Sequence, residues 1–195
     1  MLNVNRLSAS ERDQNVGVAR IANNYTRGAL ISYTLELMAL AVWIGGLVII
    51  VAAVIPAVFN SFGMEPGGRF LTRVFEGYNR TILMASGILL LSAGYRTILS
   101  RGAHPDMALS RLEWIVTMIM VVVAVSIIFV LEPSSVRLQE AAFAIKDEVA
   151  RKAAYESFFK SHTLVRALYV VNLGLALALI PMKLTSWLRC KKVLS

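Results

Sequence analysis

Sulfur, histidine and charge are scarce in this chain, and each scarcity excludes a class of protein. The one cysteine, Cys190, cannot close an internal disulfide, so no oxidising compartment is implied. Two histidines and one cysteine give no zinc cluster. Only 16% of the 195 residues are charged, against about 25% in an ordinary soluble domain. With 57% hydrophobic residues and a mean hydropathy of +0.64, the chain is neither disordered nor a typical soluble enzyme. Segments that alternate apolar and polar residues are missing, which excludes a transmembrane barrel. There is no nucleophile elbow, phosphate loop or pair of catalytic carboxylates, and Ser86 beside Gly87 lacks a base. The chain is therefore not expected to be an enzyme.

What is present is four long apolar runs. The first, Leu37 to Phe59, has no charged residue and exceeds the roughly 20 residues needed to cross about 30 Å of hydrocarbon. The second, Thr81 to Tyr95, is flanked by Arg80 and Arg96, which can snorkel, so a helix from about Gly77 to Ser100 spans. The third is Trp114 to Leu131. The fourth is Ala167 to Met182, which Pro181 and Lys183 are expected to close. In lipid only a helix satisfies its own backbone groups, so these are spanning helices. The expected fold is all-α: a polytopic four-helix bundle over 30–183, between a polar cytoplasmic segment 1–29 and a basic cytoplasmic tail 184–195. About 29 mostly polar residues precede the first span, so no signal peptide is expected.

Four spans place both termini on one side. That side carries 11 lysines and arginines, including Arg96, Arg101, Arg111 and Lys183, against nine on the other. The bias, concentrated in a short connection and the tail, is expected to place both termini in the cytoplasm. The net charge of +8 lies in the connections between runs. Membrane lipids, through their anionic head groups, are the expected partner, and nucleic acid is not. Two readings stand for Cys190 beside Arg189, Lys191 and Lys192: a reduced thiol, or a lipidation site.

The first connection holds Gly63, Pro66, Gly67 and Gly68, a turn composition. No breaker follows until Gly77, so helix is expected from Arg69 into the second span. In the second long connection, Pro133-Ser134-Ser135 reads as a stop and an N-cap. Leu138, Ala142, Ile145 and Val149 then recur at helical spacing, predicting an amphipathic helix between spans three and four, on the membrane surface or solvated. Small residues let helices approach closely in lipid. Ala41 with Gly45, Ala53 with Ala57, Gly87 with Gly94, and Gly174 with Ala178 are the faces expected to meet. Pro56 is expected to kink the first span and free the carbonyl of Ala52.

Charged groups at membrane depth cost on the order of 2.5–3.5 kcal/mol each, so each needs a reason. Glu36 has three readings: a solvated carboxylate, a partner for an arginine such as Arg96, or a cation ligand. Asn79, Arg80, Glu132, His162 and Arg166 all fall at the outer end and are candidates for one outward-facing polar pocket. Asn172, about two turns deeper, should hydrogen-bond another helix. Haem is not expected, because His104 and His162 lie at opposite faces of the bilayer. The scattered methionines read as gap-fillers. No cofactor and no metal is expected.

The segments Leu40-Ala41-Val42-Trp43-Ile44-Gly45-Gly46, Ile55-Pro56-Ala57-Val58-Phe59, Gly67-Gly68-Arg69, Val74-Phe75-Glu76-Gly77-Tyr78-Asn79 and Phe158-Phe159-Lys160-Ser161-His162, with the later Asn172, form a pattern. It resembles a bacterial four-span domain-of-unknown-function family related to transmembrane protein 205. The tryptophan-glycine-glycine element is also similar to copper-resistance protein D, but copper ligands are not evident. The resemblance covers roughly Leu35 to Met182. It implies a membrane protein without an established reaction, whose eukaryotic relatives are linked to drug resistance and trafficking. It marks Pro56, Arg69, Asn79, His162 and Asn172 as the positions to test.

Two functions follow as expectations. One is an accessory or structural subunit of a larger membrane complex, or a homo-oligomer. The other is a small-molecule or ion binding or transport protein, with a site among Arg69, Asn79, Arg80, His162, Arg166 and Asn172.

Overall fold

The computed structural model describes residues 9–101 and 109–194, and the side chains of 27–101, 109–147 and 149–188. His104 lies outside the described residues. The side chain of Cys190, and those of the termini that entered the charge count, lie outside the described side chains.

The described chain is helical throughout. Helix α1 runs Ala9–Ile49, passes through a π-helical turn at Ile50–Val54, and continues as α2, Ile55–Phe62. Helix α3 is Met64–Arg101. Helix α4, Arg111–Ser126, passes through a second π turn, Ile127–Leu131, into α5, Glu132–Ala144. Helix α6 is Glu148–Leu194. Four continuous helical segments, Arg27–Phe62, Met64–Arg101, Arg111–Ala144 and Val149–Leu188, are long and apolar enough to cross a membrane. The protein is a multi-pass membrane protein with four spans.

Contacts between distant residues fix an antiparallel order. The Arg96 guanidinium lies 4.1 Å over the Tyr33 ring, and the Tyr78 hydroxyl donates to the Trp43 carbonyl at 2.9 Å, so α1 and α3 run in opposite directions. The core forms around Leu40, Trp43, Leu47, Tyr78, Ile82, Leu89, Met120, Ala124, Ala176 and Leu179. Beyond it, α5 and the start of α6 form a helical hairpin, joined by the edge-to-face rings of Phe143 and Tyr155, 6.2 Å apart.

Several local expectations need correction. The first connection shrinks to Gly63, whose φ of 74° needs a glycine. Pro66, Gly67 and Gly68 already belong to the start of α3, where a proline is tolerated because its missing N–H would be unpaired anyway. Pro133 does not stop the third span. The Glu132 N–H reaches back to Ile127 O, and the wider turn takes up the proline. Ser134 caps nothing and bonds the Val130 carbonyl through its side chain. The amphipathic helix is therefore the extension of span three, and it ends at Ala144, with Val149 on the next helix. Pro56 sits just past the first π turn, which accommodates its ring in the same way. Pro181 does not close the fourth span, and α6 continues through it. Leu179 and Lys183, on either side, are fully buried, so packing holds the helix across the break.

The small-residue faces are also corrected. Ala41, Ala53, Ala57, Gly174 and Ala178 are exposed, and a Cβ added at Gly45, Gly87, Gly94 or Gly174 would meet nothing within 4 Å. Close approaches occur instead at Gly28, whose added Cβ would run into the Tyr95 hydroxyl, and at Gly46, where it would stand 2.9 Å from the Tyr78 ring.

Candidate functional site

Each spanning segment buries one charged residue at the end of the bundle near the chain termini. They are Glu36 on α1, Arg96 on α3, Glu113 on α4 and Lys183 on α6. Their exposures are 0%, 1%, 0% and 0%. Arg96 Nη1 lies 3.2 Å from Glu36 Oε2 and 3.0 Å from Glu113 Oε1. Lys183 Nζ lies 2.8 Å from the same two oxygens. Each cation bridges both carboxylates, and the four charges sum to zero.

Local structure places each member. Ser110 caps α4 by accepting the Glu113 N–H at 3.1 Å, which fixes Glu113 in the first turn, facing the bundle. A Glu at that position usually turns back to the cap residue. Here its carboxylate takes the two cations instead, and its second oxygen accepts the Ser186 hydroxyl at 3.2 Å. Arg96 adds a stacking contact with Tyr33. Glu36 Oε1 and Arg96 Nε and Nη2 have no hydrogen-bond partner among the described residues.

A second polar group lies at the opposite end. The Asn79 amide donates to Glu132 Oε2, and the Tyr169 hydroxyl donates to Asn79 Oδ1 at 3.0 Å. Beside them is a cavity of about 10 Å³ lined by Trp43, Tyr78, Asn79, Ile128, Tyr169 and Asn172, among others, room for roughly one water. Asn79 and Arg96 are 17 residues apart on α3, and Glu113 and Glu132 are 19 apart along the third span. At 1.5 Å per residue those separations are about 26 and 28 Å. The two polar groups thus stand close to one hydrocarbon thickness apart. Each lies near a membrane boundary, where its cost is lowest.

The sequence candidates divide accordingly. Asn79 and Asn172 line the same cavity, and Glu132 joins Asn79. Arg80 and Arg166 are exposed, and His162 stacks on Phe158 at 5.3 Å; none of the three lines the cavity. Of the five residues expected to converge, the structure joins only Asn79 and Glu132, and of these two Asn79 alone lines the cavity. Arg69 is exposed and pairs with Glu140 at 3.1 Å and Glu65 at 3.4 Å, and it lies over the Phe143 ring. Of the three readings of Glu36, the geometry selects the pairing with Arg96. Sequence reasoning missed Glu113 and Lys183, which it had placed among solvent-facing charges. Ser110-x-x-Glu113 was the signal available for the first.

The family described as Domain of unknown function (DUF4149) matches residues 38–144, more than half of the chain. The chain belongs to this family. The DUF4149 match takes in Asn79, Arg96, Glu113 and Glu132; Glu36, Tyr169, Asn172 and Lys183 fall outside it. No curated protein and no solved structure matches the chain.

Proposed function

We propose that this DUF4149 protein is a non-catalytic accessory subunit of a larger assembly in a bacterial inner membrane. The observation that carries this reading is the buried charge quartet. Alternating access requires helices that exchange one set of partners for another. Here every spanning segment gives one charge to a common neutral centre, and withdrawing any helix leaves an unpaired charge inside the bundle. The cavity near Asn79 takes about one water, too little for an organic solute. Outward-turned small residues on α1 and α6 offer places where a partner's helix can approach.

Kinship with the family of transmembrane protein 205 belongs to the same proposal. It is supported by Pro56-Ala57-Val58-Phe59 and by Phe159-x-x-His162. Placing both termini in the cytoplasm is also part of it. Arg96 and Lys183 are paired inside the bundle, so taking those two from 11 leaves nine cations on each side. The support that remains is the clustering of Arg101, Arg111, Arg189, Lys191 and Lys192.

The test is crosslinking in native membranes followed by mass spectrometry. A partner should be captured by the parent protein and lost in Ala41→Leu with Gly174→Leu. Both positions are exposed, so the thermal midpoint should stay within about 4 °C, as for two surface changes worth no more than about 0.5 kcal/mol each. Recovery of an isolated protomer alone after crosslinking would refute the reading. Reporter fusions at the two ends should both report the cytoplasm.

A further inference from the structure

The cavity at the Asn79 end has an uneven chemistry. Apart from the Asn172 amide, its polar lining offers acceptors whose hydrogens are already used elsewhere. The Tyr78 hydroxyl gives its proton to the Trp43 carbonyl, and the Tyr169 hydroxyl gives its proton to Asn79 Oδ1. Each phenol oxygen keeps lone pairs. Asn172 is 2% exposed, lines the cavity, and its Oδ1 has no hydrogen-bond partner among the described residues. A buried amide oxygen left without a partner costs about 1–3 kcal/mol, so its retention calls for a ligand.

The backbone adds to this. Ile127 and Ile128, two of the lining residues, belong to the π turn of the third span. There the Glu132 N–H is already given to Ile127 O, and Pro133, next in line, has no N–H to give. The turn therefore leaves a carbonyl oxygen over. Transporters use such interrupted helices to supply carbonyls to small cations. Charge points the same way. Glu132 accepts from Asn79 and has no ion pair among the described residues, unlike the carboxylates of the quartet. With one carboxylate, and no group of three His, Cys, Asp or Glu side chains among the described residues, the donor set is hard oxygen of low charge.

We propose that this cavity binds a small monovalent cation of sodium size, held by Asn172, the Tyr78 and Tyr169 oxygens and a carbonyl of the π turn, with Glu132 supplying the negative charge. A neutral water also fits the volume but leaves Glu132 uncompensated. Potassium is about as large as a water, and the four oxygens named are too few to replace its hydration shell. Bound there, the cation joins spans two, three and four at the end opposite the quartet. The site does not depend on the accessory role, which stands or falls on partner capture.

The experiment uses the full chain in nanodiscs, with sodium, potassium or choline chloride at equal ionic strength. Binding of radioactive sodium should saturate at about one ion per chain. At a concentration 100 times the dissociation constant, the thermal midpoint should rise by roughly 5–10 °C over choline. Potassium should give less than half of that shift. Asn172→Leu, which fills the cavity, and Glu132→Gln, which keeps its shape and removes its charge, should each abolish both signals. If Asn172→Leu fails to fold, Glu132→Gln decides alone. Equal midpoints in sodium and choline with no saturable sodium binding, or binding undiminished in Glu132→Gln, would overturn the proposal.

Discussion

Replacing Lys183 by methionine should remove most of the folded protein. Methionine keeps the length of the side chain and deletes its charge. Both Glu36 Oε2 and Glu113 Oε1 lose a contact at 2.8 Å, and Arg96 is left to balance two fully buried carboxylates. Breaking a buried ion pair from one side costs about 3–5 kcal/mol, because the surviving charge stays desolvated. Glu113→Gln should cost a comparable amount from the opposite sign, since Lys183 and Arg96 then share Glu36 alone. Chemical denaturation in mixed micelles measures both. A change below about 1 kcal/mol in either would show that water or lipid head groups reach the quartet.

Gly46→Leu should be the next most damaging change. An added Cβ already stands 2.9 and 3.1 Å from two carbons of the Tyr78 ring. The ring cannot swing aside freely, because its hydroxyl is bonded to the Trp43 carbonyl on the same helix as Gly46. The remainder of the leucine would push α1 from α3, and overpacking of this kind typically costs 1–3 kcal/mol, roughly 2–12 °C in midpoint. Gly45→Leu is the matched control. It should be near neutral, because its Cβ meets nothing within 4 Å.

That contrast shows why some features were legible in the sequence and others were not. Four spans could be read because length and composition are enough to define a spanning helix. The inner face of a span is harder, since lipid is as apolar as the core and hydrophobic periodicity does not distinguish them. Spacing alone picked out Ala41 with Gly45 and Gly174 with Ala178, yet Ala41, Gly174 and Ala178 are exposed and a Cβ at Gly45 would meet nothing within 4 Å. Pairing with Arg96 was one of three readings of Glu36, open because both residues flank an apolar run at the same end. Lys183 had no such reading, because it follows Pro181, and a proline normally marks the end of a helix. Burial of Leu179 and Lys183 overrides that local signal. The π turns left one trace, a proline just beyond each: Pro56 and Pro133. Asn79 was found as a polar residue at the outer end of its span and Asn172 as one about two turns deeper, whereas Tyr78 and Tyr169 passed as ordinary aromatic residues of a span.

The central claim is that four spanning helices are held together by one neutral set of buried charges. A double-mutant cycle on Glu113 and Lys183 tests it most directly. Glu113→Gln with Lys183→Met leaves the Glu36–Arg96 pair, again neutral. The double variant should therefore be destabilised by at least 2 kcal/mol less than the two single variants combined, within the range of coupling seen for residues in direct contact. Costs that add, with no coupling beyond about 0.3–0.5 kcal/mol, would mean that the two side chains do not meet inside the bundle.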